Sequence, residues 1–90
     1  MPKKSIDERP LTSAQIRAAR ALIRWSAADL AHKAKLGLAT VRRAEQSDEI
    51  TSLTAANDTA LRRALESAGV EFIDENGGGP GVRLRQSRKS

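Results

Sequence analysis

The chain contains no cysteine, no tyrosine and a single histidine. Without cysteine, neither disulfides nor thiolate-bound metal can hold the fold together. His32 has no second histidine to join it, so no zinc site can be built around it, and it reads as a surface residue. Aromatic residues are limited to Trp25 and Phe72. The interior must therefore be made of Ala, Leu, Ile and Val, and the abundance of alanine favours closely packed helices over a wide apolar centre. No run of 18 apolar residues exists and the N-terminus lacks an apolar signal core, which leads to the expectation of a cytoplasmic protein that does not contact membrane. No side chain pairs as nucleophile and base. Asp48/Glu49 and Asp74/Glu75 are adjacent acids in loop-like stretches, where solvation is their ordinary role. Gly77-Gly-Gly79 is followed by no Lys-Ser/Thr and sits in no strand–loop–helix frame, so it reads as a flexible turn and not a phosphate loop. Neither an enzyme nor a cofactor is expected.

What the chain does have is positive charge and helical periodicity. Sixteen Lys/Arg against eleven Asp/Glu give a net charge of +5 over 90 residues. The excess is spread along the sequence, as suits a polyanionic partner. Ninety residues make one small domain in which burial per residue is limited, so a dimer interface would help.

Two short helical patterns sit back to back in residues 26–46. The first runs from Ala27 to Ala34, with Ser26 as N-cap, Asp29 near the positive end of the helix dipole, and Leu30, Ala31 and Ala34 as a narrow apolar stripe. The second runs from Leu38 to Gln46, with Gly37 as a permissible cap. Val41, Ala44 and Glu45 face one way, and Ala39, Arg42, Arg43 and Gln46 face the other. Between them lies Lys35-Leu36-Gly37, with Leu36 as the core plug of the bend. A short helix, a tight bend and a second short helix with an arginine-bearing outer face fit a DNA major groove.

The remaining elements follow in order. Residues 1–10, with two prolines, charges and no periodicity, read as a flexible N-terminal arm. A first helix starts at Thr12 or Ser13 and stops near Arg24, with Ile16, Ala19, Ile23 and Leu22 as its stripe and Trp25 as a lid over the junction that follows. Ser47-Asp48-Glu49 reads as loop. A fourth helix runs from Leu53 or Thr54 to Ala68, with Leu61, Leu65 and Ala68 inward, Gly69 beyond its end, and Arg62, Arg63 and Glu66 solvated. The period then changes to two. Val70–Ile73 and Val82–Arg85 read as short strands joined by a long glycine-rich connection. A lone ribbon is marginal in water, so a helix face or a second subunit must cover Phe72, Val82 and Leu84. Residues 86–90 form a basic tail.

At this point the residues resemble a known family. Ile16-Arg-Ala-Ala-Arg-Ala-Leu-Ile-Arg-Trp-Ser26, Asp29-Leu-Ala31 and Thr40-Val-Arg-Arg-Ala-Glu45 are similar, at ungapped spacing, to the lambda/434-repressor-like helix-turn-helix regulators, the group called xenobiotic-response-element (XRE) regulators. The tail Ala68-Gly-Val-Glu-Phe-Ile73 with Asn76-Gly-Gly-Gly-Pro-Gly-Val-Arg-Leu84 is similar to a bacterial subgroup of small regulators. The resemblance covers residues 11–85, and its specificity lies in the joint pattern.

It implies an all-α fold: a four- to five-helix repressor-like helix-turn-helix domain over residues 11–69, with a short C-terminal β extension over 70–85. It also implies a DNA-binding transcriptional repressor in which Leu38–Gln46 is the recognition helix. Leu38, Ala39, Arg42 and Arg43 become the base-contacting candidates, with Arg43 foremost because a guanidinium can bond guanine O6 and N7 together. Leu38 and Ala39 are apolar where many relatives carry Gln, Ser or Arg, and can touch only a thymine methyl. Ser26, Lys33, Lys35, Thr40 and Gln46 become phosphate candidates. Arg20 and Glu45 match an ion pair between the first and third helices. Lys35 stands at the usual turn glycine, Gly37 replaces a Ser or Thr cap, and Asn57 replaces a branched apolar residue. The expected partners are double-stranded DNA and a second copy of the chain, with Phe72, Val82 and Leu84 as dimerisation candidates. Two alternatives stand beside this reading. One is an antitoxin that represses its own operon and holds a toxin protein on the C-terminal strands. The other is an interaction module that has lost DNA binding.

Overall fold

Three of the four helices begin at a hydroxyl side chain. In the computed structural model, which describes residues 10–46, 53–75 and 77–85, the elements are α1 (Ser13–Ile23), α2 (Ala27–Ala34), α3 (Leu38–Gln46), α4 (Ala55–Ser67), β1 (Val70–Ile73) and β2 (Gly81–Leu84). Thr12 Oγ1 accepts from the Gln15 amide at 3.0 Å, and Gln15 Oε1 accepts from the Thr12 amide at 3.0 Å. The same reciprocal box joins Ser26 and Asp29, with both bonds at 2.9 Å. Thr54 Oγ1 accepts from the Asn57 amide at 3.1 Å. Each cap satisfies amides that the first turn of a helix cannot pair internally.

The ends are equally local in origin. Arg24 and Lys35 both adopt φ 61°, in the left-handed region. After α1, the Arg24 amide reaches Ala21 O and the Trp25 amide reaches Arg20 O. After α2, the Lys35 amide reaches His32 O and the Leu36 amide reaches Ala31 O. These paired bonds turn the chain sharply and use up the last carbonyls of each helix. Gly69, at φ 104°, turns α4 into β1.

The core gathers Leu11, Ile16, Ala19, Leu30, Ala31, Ala34, Val41, Ala44, Leu61, Ala64, Leu65 and Val70. Five of these twelve are alanines, which lets the short helices approach closely. Leu11 is only 1% exposed. It precedes the α1 cap and shares the core with Ile16 four positions inside the helix, the arrangement of a hydrophobic staple. Its amide donates to Asp58 Oδ1 of α4 at 3.0 Å. Trp25 and Leu36 lie half-buried against the core.

The two strands pair antiparallel, with Val70 opposite Leu84, Glu71 opposite Arg83, Phe72 opposite Val82 and Ile73 opposite Gly81. β2 occupies 81–84, one residue earlier than the alternation predicts. The ribbon is covered by helices: α1 lies against both strands and α4 against β1. Gln15, only 5% exposed, fastens it there. Its Nε2 donates to Gly81 O at 3.0 Å and to Ile73 O at 3.4 Å, the two backbone carbonyls that flank the connection of the hairpin.

The described residues thus form a mostly helical domain with a small antiparallel sheet. The N-terminal arm, the loop at residues 47–49 and the basic tail at 86–90 lie outside the described residues, apart from Pro10. No described helix is long and apolar enough to cross a membrane.

Candidate functional site

α3 is a helix with two unlike faces. Val41 and Ala44 are 0% and 2% exposed and lie in the core, whereas Ala39, Arg42, Arg43 and Gln46 are all exposed. Leu38, at the start of the helix, keeps 36% of its surface, and Thr40 is half-buried. The arginine-bearing face is the solvated side of an amphipathic helix.

The inner face is held from two sides. α2 packs on α3 across the bend at Lys35, Leu36 and Gly37, and α1 packs on it from the other side. Gly37 O accepts from the Thr40 and Val41 amides at 3.1 and 3.2 Å, which starts the helix. On the α1 side the Arg20 guanidinium grips the Glu45 carboxylate at two points, Nε to Oε2 at 2.7 Å and Nη2 to Oε1 at 2.9 Å. Its third nitrogen, Nη1, donates to Trp25 O at 2.9 Å. With side chains 24% and 10% exposed, this pair is shielded from solvent screening that weakens an ordinary surface ion pair. Hydrogen bonding to Glu45 raises the Arg20 pKa above its usual value, against the opposing effect of burial, so the guanidinium stays charged.

Two further α1 side chains reach the same turn of α3, and neither stood out in the sequence. Ser13 Oγ, fully buried, donates to Ala44 O. Arg17 Nη1 donates to Glu45 O at 2.5 Å. Their acceptors are backbone carbonyls, which leave no mark in a sequence. The only legible signal is the i, i+4, i+7 spacing of Ser13, Arg17 and Arg20 along one side of the α1 apolar stripe.

The other predicted positions are distributed as follows. Ser26, Lys33, Lys35 and Gln46 are exposed on α2, the bend and α3. Ser26 Oγ is engaged as the α2 cap, and its hydroxyl also bonds the Asp29 carboxyl. His32 is exposed, and no group of three or more metal-binding side chains occurs among the described residues. Asn57 is half-buried in the first turn of α4.

Two expectations need correction. Arg62 is not solvated. Its guanidinium carbon lies 5.4 Å from the Phe72 ring centroid, Nη2 is 3.9 Å from Asp58 Oδ2, and the side chain is 13% exposed. The cause is tertiary: β1 folds back along α4 and brings the Phe72 ring under the arginine. Leu22, expected in the apolar stripe of α1, is instead 39% exposed. Of the dimerisation candidates, Phe72 and Val82 are half-buried where α1 and α4 lie against the ribbon. Leu84 alone of the three is exposed, at 44%.

Chemically, α3 presents two guanidinium forks, a glutamine amide and a short apolar pair on a helix fixed by its neighbours. Guanidinium forks of this kind can donate hydrogen bonds to paired acceptors. No family model matches the chain, and no curated protein matches it.

Proposed function

We propose that the chain is a sequence-specific DNA-binding transcriptional regulator that works as a homodimer, with α2, the bend and α3 serving as a helix-turn-helix. In this reading α3 lies in the major groove, and a second copy of the chain places its own α3 about one helical turn away on a pseudo-palindromic site. One observation carries the proposal: a nine-residue helix clamped on its inner face leaves Arg42 and Arg43 exposed side by side on its outer face. The net charge of +5 supports a polyanionic partner.

Roles follow from chemistry. Arg43 reads a guanine through O6 and N7, Arg42 flanks it, and Leu38 and Ala39 offer apolar contact to a thymine methyl. Ser26, Lys33, Lys35, Thr40 and Gln46 hold phosphates and set the register. The Arg20–Glu45 bridge keeps the angle of α3. With two short apolar residues among the four base readers, the base code is narrow, and phosphate contacts supply most of the affinity.

Footprinting on the DNA upstream of the gene, followed by titration with the Arg43→Ala variant, tests the reading. The variant should lose roughly 1–3 kcal/mol on the protected site, with preference relaxed at one base step. An equal loss on every sequence would make Arg43 a phosphate contact. No fragment bound by the unaltered chain at moderate salt would favour an interaction module instead. A protein partner that binds the C-terminal strands while the chain represses its own promoter would favour the antitoxin reading.

A further inference from the structure

Helix α3 is held at its C-terminal turn by three donors from one side of α1. Ser13 Oγ donates to Ala44 O, Arg17 Nη1 to Glu45 O at 2.5 Å, and Arg20 Nε and Nη2 to the Glu45 carboxylate at 2.7 and 2.9 Å. The three side chains follow one another at i, i+4 and i+7, so they form a line along α1 that faces a single turn of α3. Carbonyls in the last turn of a helix have no helical amide four residues further along the chain, and they carry the negative end of the dipole. Here two such carbonyls receive a hydroxyl and a guanidinium, and a second guanidinium sits beside them on Glu45.

We infer that Ser13 and Arg17 are positioning residues that fix the angle at which α3 presents Arg42 and Arg43, and that Arg20–Glu45 is one rung of this ladder and not its whole. The inference rests on the reading of α3 as a groove-binding helix. The geometry argues for angle and not merely for cohesion. The core contacts of α3, through Val41 and Ala44, are apolar and set no hydrogen-bond direction against rotation about the helix axis. Directional bonds to two successive carbonyls and one carboxylate restrict that rotation. A turn of α3 by a few tens of degrees would move the adjacent Arg42 and Arg43 off the base edges they must meet.

The ladder has a second consequence. Arg17 is exposed at the C-terminal end of α3, where bare carbonyls would face a phosphate backbone. Its guanidinium covers one of them and turns a repulsive end into a neutral or attractive one.

The test compares the unaltered chain with Arg17→Met, which keeps the aliphatic stem, with Arg17→Lys, and with Ser13→Ala. Amide hydrogen exchange in the free chain reads the clamp without DNA. In Arg17→Met, exchange at residues 42–46 should quicken about three- to tenfold, the size of one net hydrogen bond, while amides in α4 keep their rates. Arg17→Lys should recover part of the protection. DNA selected by the unaltered chain from a randomised pool, and a scrambled duplex of the same length, then read the function. Arg17→Met and Ser13→Ala should lower the ratio of selected to scrambled affinity about three- to tenfold. Unchanged exchange in α3, or the same acceleration in α4 as in α3, would overturn the clamp. Altered exchange with an unaltered affinity ratio would overturn the link to specificity. If the pool yields no selected sequence, the DNA reading fails, while the exchange result still decides the clamp.

Discussion

Gln15 shows how one buried amide can hold two parts of a fold together. Its Oε1 completes the α1 cap while its Nε2 reaches Ile73 O and Gly81 O. Gln15→Leu keeps the volume but leaves the Thr12 amide and both carbonyls without this partner. The loss should be about 2–3 kcal/mol, read as a lower urea midpoint at unchanged slope. A variant within about 0.5 kcal/mol of the unaltered chain would mean water replaces the amide. Nothing local in the sequence announces this role, because the two carbonyls lie 58 and 66 residues away. Ser13 and Arg17 were hidden for the same reason, since side-chain-to-carbonyl bonds depend on where a distant backbone passes. Helical periodicity puts Arg62 in solvent because the ring beneath it comes from a strand, whose approach that period cannot foresee. By contrast, the exposure of Arg42 and Arg43 and the inward turn of Val41 and Ala44 follow from the period of one helix. Arg20 and Glu45 were paired through a family resemblance, and their contact is present at 2.7 Å.

Elements in this chain are set largely by their ends, and the ends are where sequence reads most clearly. Thr12, Ser26 and Thr54 each accept the amide three residues on, a pattern visible from residue type and spacing alone. The bend between α2 and α3 is less comfortable. Lys35 holds φ 61° with a full side chain, a backbone region that glycine enters without cost. Lys35→Gly should therefore raise stability by up to about 1 kcal/mol. For a domain of this size that corresponds to a melting shift of roughly 4–8 °C. If Lys35 also contacts phosphate, the same variant should bind DNA more weakly, so stability and affinity would move in opposite directions. The α2 cap gives a pH signature. Hydrogen bonds from the Ser26 amide and hydroxyl hold the Asp29 carboxyl below its usual pKa, and nearby Lys33 adds to this. A depressed carboxyl pKa stabilises the fold above the unfolded value, and that contribution is lost as pH falls through the folded value. Asp29→Asn mimics the protonated acid. The difference in urea midpoint between the two chains should be present at pH 7 and should shrink as pH falls below the ordinary carboxylate range. A gap that persists in acid would assign the effect to helix propensity and not to charge.

At the scale of the whole molecule, the proposed function raises the question of how many copies of α3 would meet DNA. The strand ribbon gives only part of the answer, because Phe72 and Val82 are half-buried against the chain's own core while Leu84 is 44% exposed. Salt dependence answers it without reference to the interface. Each phosphate neutralised by a lysine or arginine contributes about −0.9 to the slope of log affinity against log salt on duplex DNA. Lys33 and Lys35, both exposed on the α2 side of the bend, are the two cationic phosphate candidates per chain. A chain binding alone should lose about 1.8 from the magnitude of its slope in the double variant Lys33→Gln/Lys35→Gln, whereas a pair of chains should lose about 3.6. Arg43→Ala makes the internal control: as a base contact it should lower affinity on the selected site while leaving the slope nearly unchanged. Anisotropy titrations at four or five salt concentrations, with the molecular weight of the free chain from sedimentation, separate the cases. A flattening near 3.6 with a dimeric free chain supports two α3 helices engaged at once. A flattening near 1.8 at any protein concentration would show that a single copy makes the contact, and the second half-site would then have no reader.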